Sequence, residues 1–349
     1  MRTIEWKDDA ENGTKKSAIA MIDQTLLPAE YRVIECGTIP ALCEAIETLR
    51  IRGAPALGAA GGYGIALAAQ NSTASSFDQF MHDLLAAAGA IKQTRPTAIN
   101  LAWGVDRVIG AVRESGCGTT NEAREIALRE ASAIADEDVT RNRRLGEHGA
   151  ALLADGETVL THCNAGRLAC VDFGTAIGVI RAAVEEGKEI SVVSCETRPL
   201  NQGGRITVWE LAQDRIPVTL IADSAAGSMM RKGLIDRVIV GADRITRDAV
   251  FNKIGTYTHS VLAKENGIPF YVAAPKATFD STRQERDIEI EERGPDELRV
   301  LEGTMLAPVD CAVYNPAFDA TPIENVTAVI TEDGVAYPGR SESWGRLFV

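Results

Sequence analysis

From about residue 157 the sequence alternates short β-branched runs with longer helical stretches, and this alternation constrains the fold most strongly. Strands that alternate with helices are typical of βαβ units, which build a parallel sheet. The crossovers of such units are right-handed, so the second part of the chain is predicted to be a Rossmann-like, doubly wound layer. The expected strands are 158–161, 190–194, 218–222, 237–241, 270–274 and 311–314, and the expected helices between them include 168–186, 225–232 and 257–266.

The first 130 residues show a different pattern, rich in alanine and periodic like helices. Helices are predicted at 39–51, 54–69, 77–92 and 98–115, with a small sheet that includes 32–35. The segment 120–154 has the composition of a long connecting helix. We therefore predict an α/β protein with a smaller, mainly helical N-terminal domain at 1–130 and a Rossmann-like catalytic domain with a parallel sheet at 131–349.

Composition narrows the classes of function. A hydrophobic share of 45% with 24% charged residues is typical of a globular protein, and no apolar run approaches the roughly 18 residues of a membrane helix. The start of the chain lacks a targeting pattern, so we expect a soluble, cytoplasmic protein. A net charge of -13 argues against binding nucleic acid or an anionic membrane. The seven scattered cysteines predict neither disulfides nor a zinc site.

Two polar residues follow apolar strands about 80 positions apart. Cys163 follows 158–161 and Asp243 follows 237–241. Because the carboxyl ends of parallel strands line the ligand crevice, both side chains are expected to face one pocket. A buried cysteine is often only a small hydrophobe, but a helix predicted directly after Cys163 would favour its thiolate. An aspartate there is often only a cap, but apolar walls would raise the pKa of Asp243 and make it a proton donor.

Other polar motifs are predicted to bind an anion or a sugar. Arg52 precedes a glycine-rich helix start, and Arg95 precedes another helix, so each arginine is expected at an anion site. The loop 196–205 has more polar side chains than a turn needs and is expected to bind a ligand. Asn252 and Lys253 are expected to contact a hydroxyl or a phosphate. The histidines outside these motifs, His82, His148 and His259, share no spacing and are interpreted as structural, and a dyad of His162 with Cys163 is not expected.

Together these motifs resemble the family of methylthioribose-1-phosphate isomerases, which also includes ribose-1,5-bisphosphate isomerase and the regulatory subunits of the initiation factor 2B exchange factor. The resemblance covers nearly the whole chain and rests on RGAPALG at 52–58, TRPTAINLAW at 94–103, THCNAG at 161–166, ETRPLNQGGRIT at 196–207, GADRI at 241–245, NKIGTY at 252–257, PFYVAAP at 269–275 and NPAFDATP at 315–322. It implies an aldose-ketose isomerase of methionine salvage, acting on 5-methylthioribose 1-phosphate as a homodimer.

The resemblance also implies roles for individual residues. Cys163 and Asp243 would be the catalytic pair, with Asp243 as the proton donor. The sugar phosphate would be bound by Arg52, Gly53, Ala54, Arg95, Gln202, Asn252 and Lys253. No metal, no nucleotide cofactor, no nucleic acid and no membrane partner is implied.

The sequence departs from the family pattern at two places. The loop 245–251 replaces a turn of the Asn-Gly-Asp type, and Cys195 replaces an acidic residue before the ETRP motif. These departures leave two further substrates open, ribose 1,5-bisphosphate and a 5-deoxyribose 1-phosphate. A non-catalytic regulatory subunit is the alternative of another class, although such a subunit need not keep both Cys163 and Asp243.

Overall fold

The computed structural model describes residues 2–11, 14–301 and 303–348. The chain divides into two units. The first contains Met1–Thr140 and Arg167–Gly174, and the second contains Arg141–Gly166 and Thr175–Val349. The predicted domain boundary near residue 130 lies inside the helix Thr120–Ala150 and stays a prediction.

The first unit begins with antiparallel strands and continues as helices. The strands are β1 (Ile4–Glu11), β2 (Thr14–Ile22) and β3 (Val33–Cys36), in the order β1-β2-β3. The helices are α1 (Ile39–Glu47), α2 (Ala54–Asn71), α3 (Phe77–Thr94), α4 (Ile99–Glu114) and α5 (Thr120–Ala150), the last of which ends in the second unit. Thr38 and Ser76 cap α1 and α3 through their hydroxyls. The mainly helical character predicted for this part of the chain is confirmed.

The core of the first unit forms around α2, which is buried along nearly its whole length. Small residues let α4 approach it closely, because a Cβ at Gly104 would lie 2.0 Å from the carbonyl oxygen of Gly58. A Cβ at Gly61 would lie 2.5 Å from the carbonyl oxygen of Leu101. The glycines of the RGAPALG region therefore allow backbone contact between two helices. Neither α2 nor any other helix within the described ranges has the length and apolar character needed to cross a membrane.

The second unit is built on a sheet that comprises seven strands in the described structure, in the order β15-β14-β10-β7-β4-β5-β6. All neighbours pair in parallel except β15, which runs antiparallel to β14. From β4 the chain adds β5 and β6 on one side, then returns to add β7, β10 and β14 on the other, which is the Rossmann strand order. The bounds are β4 (Thr158–Thr161), β5 (Ser191–Cys195), β6 (Val218–Ile221), β7 (Arg237–Val240), β10 (Phe270–Ala273), β14 (Ala328–Thr331) and β15 (Gly334–Ala336).

Shorter elements complete this unit. A small antiparallel sheet has the order β13-β9-β8, formed by β8 (Arg244–Ile245), β9 (Ala249–Lys253) and β13 (Phe318–Pro322). A hairpin joins β11 (Val300–Leu301) and β12 (Thr304–Met305). The helices are α6 (Ala176–Glu185), α7 (Val208–Gln213), α8 (Ala226–Arg231), α9 (Thr256–Glu265), α10 (Asp296–Arg299) and α11 (Ser341–Gly345).

The α/β class with a C-terminal, mainly parallel sheet is confirmed, but two predicted elements are wrong. Residues 311–314 form no strand, and Tyr314 is 78% exposed. The sheet contains β14 instead, whose Ala-Val-Ile-Thr side chains are all buried. Both 311–314 and β14 are short apolar runs, and the run that is buried forms the strand. The helix predicted at 168–186 begins only at Ala176, so Cys170 precedes it.

Candidate active site

Cys163 and Asp243 follow strands that are neighbours in the sheet. Strand β4 pairs in parallel with β7, with Leu160 opposite Val238, so both turns leave the sheet at the same edge. This is the position where the strand order reverses, and α/β sheets bind ligands there. The two turns also touch, because a Cβ at Gly241 would lie 2.7 Å from Cβ of Ala165. The sheet therefore brings the predicted thiol and carboxyl to one crevice edge.

The Cys163 turn is held by side chains from a distant segment. Cys163 has a φ of 64°, which is uncommon for a residue with a side chain. Its backbone N–H donates to Oγ1 of Thr197 at 2.8 Å, and its carbonyl accepts from Oγ1 of Thr207 at 2.6 Å. Because α6 begins only at Ala176, the predicted stabilisation of a thiolate by a helix N-terminus is wrong.

The loop after β5 carries these supporting threonines and is itself held by Asp223. The Asp223 carboxylate accepts the backbone N–H groups of Thr197 and Arg198, each at 2.8 Å. Thr197 has a φ of 67°, a strained value for a β-branched residue that the surrounding hydrogen bonds maintain. The loop then enters a π-helical turn at Gly203–Thr207, a feature found frequently at functional sites.

Two side-chain amides of this loop are suited to bind a ligand. Oε1 of Gln202 and Oδ1 of Asn201 are buried and accept no hydrogen bond from any residue that the structure describes. Buried polar atoms are nearly always paired, so an orphaned acceptor requires an explanation, such as a hydroxyl of a bound sugar. The family resemblance implies that Gln202 binds the sugar phosphate, and this role stays a prediction.

The Asp243 turn is held by its own backbone. The N–H of Asp243 donates to the carbonyl of Phe251 at 2.9 Å, and β8 continues this pairing with β9. Asn252 follows Phe251 on β9, so this hydrogen bond joins the Asp243 turn to the strand that carries Asn252. The side chain of Asp243 is exposed, however, so the prediction that apolar walls surround its carboxyl is wrong.

Asn252 and Lys253 are buried on β9 and already hydrogen-bonded. Nδ2 of Asn252 donates to Oγ1 of Thr256 at 3.0 Å. Nζ of Lys253 donates to the carbonyl of Ala317 at 2.8 Å and lies 4.6 Å from the ring centroid of Phe318. An ammonium has three donors and an amide has two, so both groups retain capacity for a ligand.

Asp319 is a carboxyl of this region that sequence reasoning did not single out. It lies on β13 opposite Asn252 and accepts the N–H groups of Gly255 at 2.7 Å and Tyr257 at 3.1 Å. It thus caps the start of α9, although burial raises its pKa to about 6. The residue lies within the NPAFDATP segment, so the signal was present in the sequence.

His162 and His259 meet behind the Cys163 turn. Nε2 of His259 lies 3.1 Å from Nδ1 of His162, and burial lowers the pKa of His162 to about 4 and that of His259 to about 3. Among the described residues, these two histidines and Cys195 have potential donor atoms within 4.8 Å of one another, close enough to hold a metal ion. The sequence could not show this cluster, because its members are 33 or more positions apart.

In the first unit, the predicted phosphate-binding residues lie at two helix starts. Arg52, Gly53 and Ala54 are at the beginning of α2, and Arg95 precedes α4. Neither helix has a side-chain N-cap in the described structure. Gly53 has a φ of 94°, and a Cβ there would lie 2.4 Å from the backbone of Ala169, so only glycine fits. Uncapped amides beside an arginine can bind an anion.

The comparisons with known proteins agree in covering nearly the whole chain. A family model described as "Initiation factor 2 subunit family" matches residues 50–338. A Methanosarcina acetivorans protein named putative methylthioribose-1-phosphate isomerase is 62% identical over 338 residues, which cover 97% of this chain and 95% of that protein.

Two solved structures are also similar to this chain. The crystal structure of 5-methylthioribose 1-phosphate isomerase from Pyrococcus horikoshii is 43% identical, with a TM-score of 0.93, and the match covers 99% of this chain and 95% of that one. The crystal structure of translation initiation factor eIF-2B, subunit delta, from A. fulgidus is 55% identical, with a TM-score of 0.91, and the match covers 100% and 99% of the two chains. Similar chains thus carry names of both an isomerase and a factor subunit.

Proposed function

The chain belongs to the initiation factor 2 subunit family, and we propose that it is an aldose-ketose isomerase that converts 5-methylthioribose 1-phosphate to 5-methylthioribulose 1-phosphate. The observation that carries the proposal is the placement of a thiol and a carboxyl, Cys163 and Asp243, at the ends of two neighbouring strands where the strand order reverses. The names of its relatives support the same reaction over the alternatives, as a step of methionine salvage.

The substrate requires acid catalysis, and this requirement gives Asp243 its role. The anomeric oxygen carries the phosphate, so the sugar ring cannot open to a free aldehyde as in an ordinary aldose. The carboxyl of Asp243 donates its proton to the ring oxygen, the bond from that oxygen to the first carbon breaks, and the first carbon becomes electrophilic. After hydrogen transfer, the hydroxyl on the second carbon returns a proton to the Asp243 carboxylate, which restores the acid.

Two routes move hydrogen from the second carbon to the first and give the same ketose. In the first, the Cys163 thiolate removes the hydrogen as a proton, an enol phosphate forms, and the thiol returns the proton to the first carbon. In the second, the hydrogen shifts directly as a hydride, and Cys163 forms one wall of the site. Turnover in deuterated water distinguishes them, since deuterium at the first carbon of the product requires the proton route.

The proposed ligands follow from the contacts described above. Gln202 and Asn252 bind sugar hydroxyls, as the orphaned Oε1 of Gln202 and the position of Asn252 on the strand that holds the Asp243 turn support. Lys253 supplies a positive charge on the same strand. For the first unit we assign phosphate binding to Arg52, Gly53, Ala54 and Arg95, on the ground of two uncapped helix starts.

A side-by-side assay tests the function. Purified protein is incubated with 5-methylthioribose 1-phosphate, ribose 1,5-bisphosphate and 5-deoxyribose 1-phosphate, and ketose formation is followed. We expect the highest kcat/KM with the methylthio sugar. Preference for the bisphosphate would assign the other isomerase activity. Folded protein that leaves all three substrates unconverted would contradict the enzyme and favour the regulatory subunit.

We propose further that the chain acts as a homodimer. Strand β6 forms one edge of the described sheet, and its Leu220 is 51% exposed. An exposed apolar side chain on an edge strand is a common site of pairing with another chain. Light scattering coupled to gel filtration is expected to give twice the mass of 37.3 kDa, and a single-chain mass would contradict the dimer.

A further inference from the structure

A buried pair of histidines lies directly behind the Cys163 turn and has no part in the proposed reaction. His162 precedes Cys163 in the chain and His259 lies on α9, and each is 1% exposed. Their ring centroids are 4.7 Å apart. We propose that this pair is a positioning device that holds the Cys163 turn through Thr197. The inference rests on the proposed function, because the role of Cys163 in catalysis makes its position matter.

The hydrogen bonds define which nitrogen carries each proton. Nε2 of His162 lies 2.8 Å from the carbonyl oxygen of Ile254, which only accepts, so this nitrogen carries the hydrogen. A neutral imidazole has one donor and one acceptor, so Nδ1 of His162 accepts and Nε2 of His259 donates to it at 3.1 Å. Nδ1 of His259 remains a buried acceptor that finds no hydrogen-bond partner within the described residues. The hydrogen bonds of the pair therefore run in one direction, from His259 through His162 to the carbonyl of Ile254.

Thr197 connects the hydrogen-bonded histidine pair to the turn that carries the Cys163 thiol. Its Oγ1 lies 3.5 Å from Nδ1 of His162 and 3.1 Å from the carbonyl oxygen of Cys195. Because His259 already donates to Nδ1, the Thr197 hydroxyl directs its hydrogen to Cys195. One lone pair of Oγ1 then accepts the N–H of Cys163 at 2.8 Å. The direction of the histidine pair thus fixes the orientation of the hydroxyl that holds the turn.

Both histidines must be neutral for this arrangement. A proton added to Nδ1 of His162 would oppose the N–H of His259 and compete for Thr197. Burial keeps the pKa values of both rings well below neutrality. The charged groups nearby are Asp223, whose Oδ1 lies 3.9 Å from Nδ1 of His162, and Lys253, which disfavours the charged form of His162. The pair is therefore a fixed support at physiological pH.

Two substitutions at one position separate the hydrogen bond from packing. His259→Leu keeps an apolar volume but removes the donor, whereas His259→Gln retains an amide N–H that reaches Nδ1 of His162. We expect about a 10-fold lower kcat with a KM within 2-fold for His259→Leu, since a displaced catalytic group lowers kcat. For His259→Gln we expect kcat within about 3-fold of the unsubstituted chain. A kcat for His259→Leu equal to that of the unsubstituted chain would overturn the proposal, as would equal loss in both variants.

A readout independent of turnover keeps this test separate from the proposed function. Alkylation of Cys163 by iodoacetamide is followed by mass spectrometry of its peptide, and its rate is expected to change in His259→Leu but not in His259→Gln. If the chain converts no sugar phosphate, the proposed function fails while this measurement still decides the positioning role. Unchanged alkylation in His259→Leu would contradict the positioning role.

The tautomers can be measured without any substitution. The chain has four histidines, so selective ¹⁵N labelling gives few signals. We expect His162 to be protonated at Nε2 and unprotonated at Nδ1; the opposite tautomer would refute the arrangement even if His259→Leu does not fold. A stoichiometric divalent metal in the purified chain that is lost from Cys195→Ala and His259→Gln would also overturn it, since the cluster would then be a ligand set.

Discussion

The two turns at the reversal point of the sheet are supported in different ways. The Cys163 turn has a positive φ and is held by the hydroxyls of Thr197 and Thr207, which lie 34 and 44 positions further along the chain. The Asp243 turn is held by a backbone hydrogen bond to Phe251, eight positions away. The thiol therefore depends on the identity of distant side chains, whereas the carboxyl depends on a local hairpin.

This difference determines what a substitution near each turn should do. Replacing a side chain of the hairpin beside Asp243 leaves the backbone hydrogen bond from Asp243 to Phe251 in place. Replacing a threonine beside Cys163 removes a support of the thiol. The chemical role of Asp243 can thus be tested separately from its position. Substitutions beside Cys163, in contrast, also change the position of its thiol.

The largest effect is expected for the carboxyl. Asp243→Asn should lower kcat by about 10²–10⁴-fold, because a general acid contributes about that factor and an amide cannot donate a proton to the ring oxygen. Steady-state kinetics measure kcat. Asp310→Asn, at an exposed aspartate of the same unit, is the matched control. Normal turnover in Asp243→Asn would remove the acid from the mechanism.

A smaller loss of activity is expected when a support of the thiol is removed. Thr207→Val keeps the shape but leaves the carbonyl of Cys163 without its 2.6 Å hydrogen bond, which should cost about 1–3 kcal/mol of stability. We expect kcat to fall by about 10-fold or more, because a small displacement of a reacting group is costly. The measurements are kcat and the free energy of unfolding in urea.

Thr246→Val is the matched control on the carboxyl side. Thr246 is also fully buried, and its hydroxyl accepts the N–H of Ala249 within the hairpin that holds Asp243. The same loss of stability is expected, about 1–3 kcal/mol, but kcat should stay within about 2-fold because the Asp243 backbone bond remains. Equal losses of kcat in both variants would show that the two turns do not differ as argued.

The sequence predicted the positions of both turns but not their supports. Apolar runs at 158–161 and 237–240 marked β4 and β7 because buried parallel strands read as continuous β-branched stretches. The order of βαβ units then placed Cys163 and Asp243 at one edge of the sheet. These conclusions need only local patterns and the handedness of crossovers.

The supports depend on contacts between distant positions, which local patterns do not contain. Thr197 and Thr207 belong to a recognised motif, yet nothing in their spacing indicates that their hydroxyls hold Cys163. His259 is interpreted from the sequence as structural, and nothing in the spacing indicates that the fold brings its ring together with that of His162. The exposure of Asp243 and the partial burial of Asp319 likewise follow from how β8, β9 and β13 pair.

The smallest expected effect is on how stability depends on pH. The region of the Asp243 turn contains a group with a raised pKa, whereas the region behind the Cys163 turn contains groups with lowered pKa values. Burial raises the pKa of Asp319, beside the carboxyl turn, to about 6 from 3.8. Between about pH 4 and 6 the folded chain holds a proton that the unfolded chain releases, so this group lowers stability as pH rises through that window. The histidines behind the thiol have lowered pKa values, so their contribution is complete above about pH 6.5 and is lost as pH falls.

Asp319→Asn separates these two contributions, because it removes the carboxyl titration and leaves the histidines unchanged. The thermal midpoint of Asp319→Asn minus that of the unsubstituted chain should therefore rise by a few degrees between about pH 4.5 and 7, since one pKa unit corresponds to about 1.4 kcal/mol. Differential scanning calorimetry at several pH values measures it. A difference for Asp319→Asn that stays constant with pH would contradict the raised pKa of Asp319, and the electrostatic contrast between the two turns would be lost.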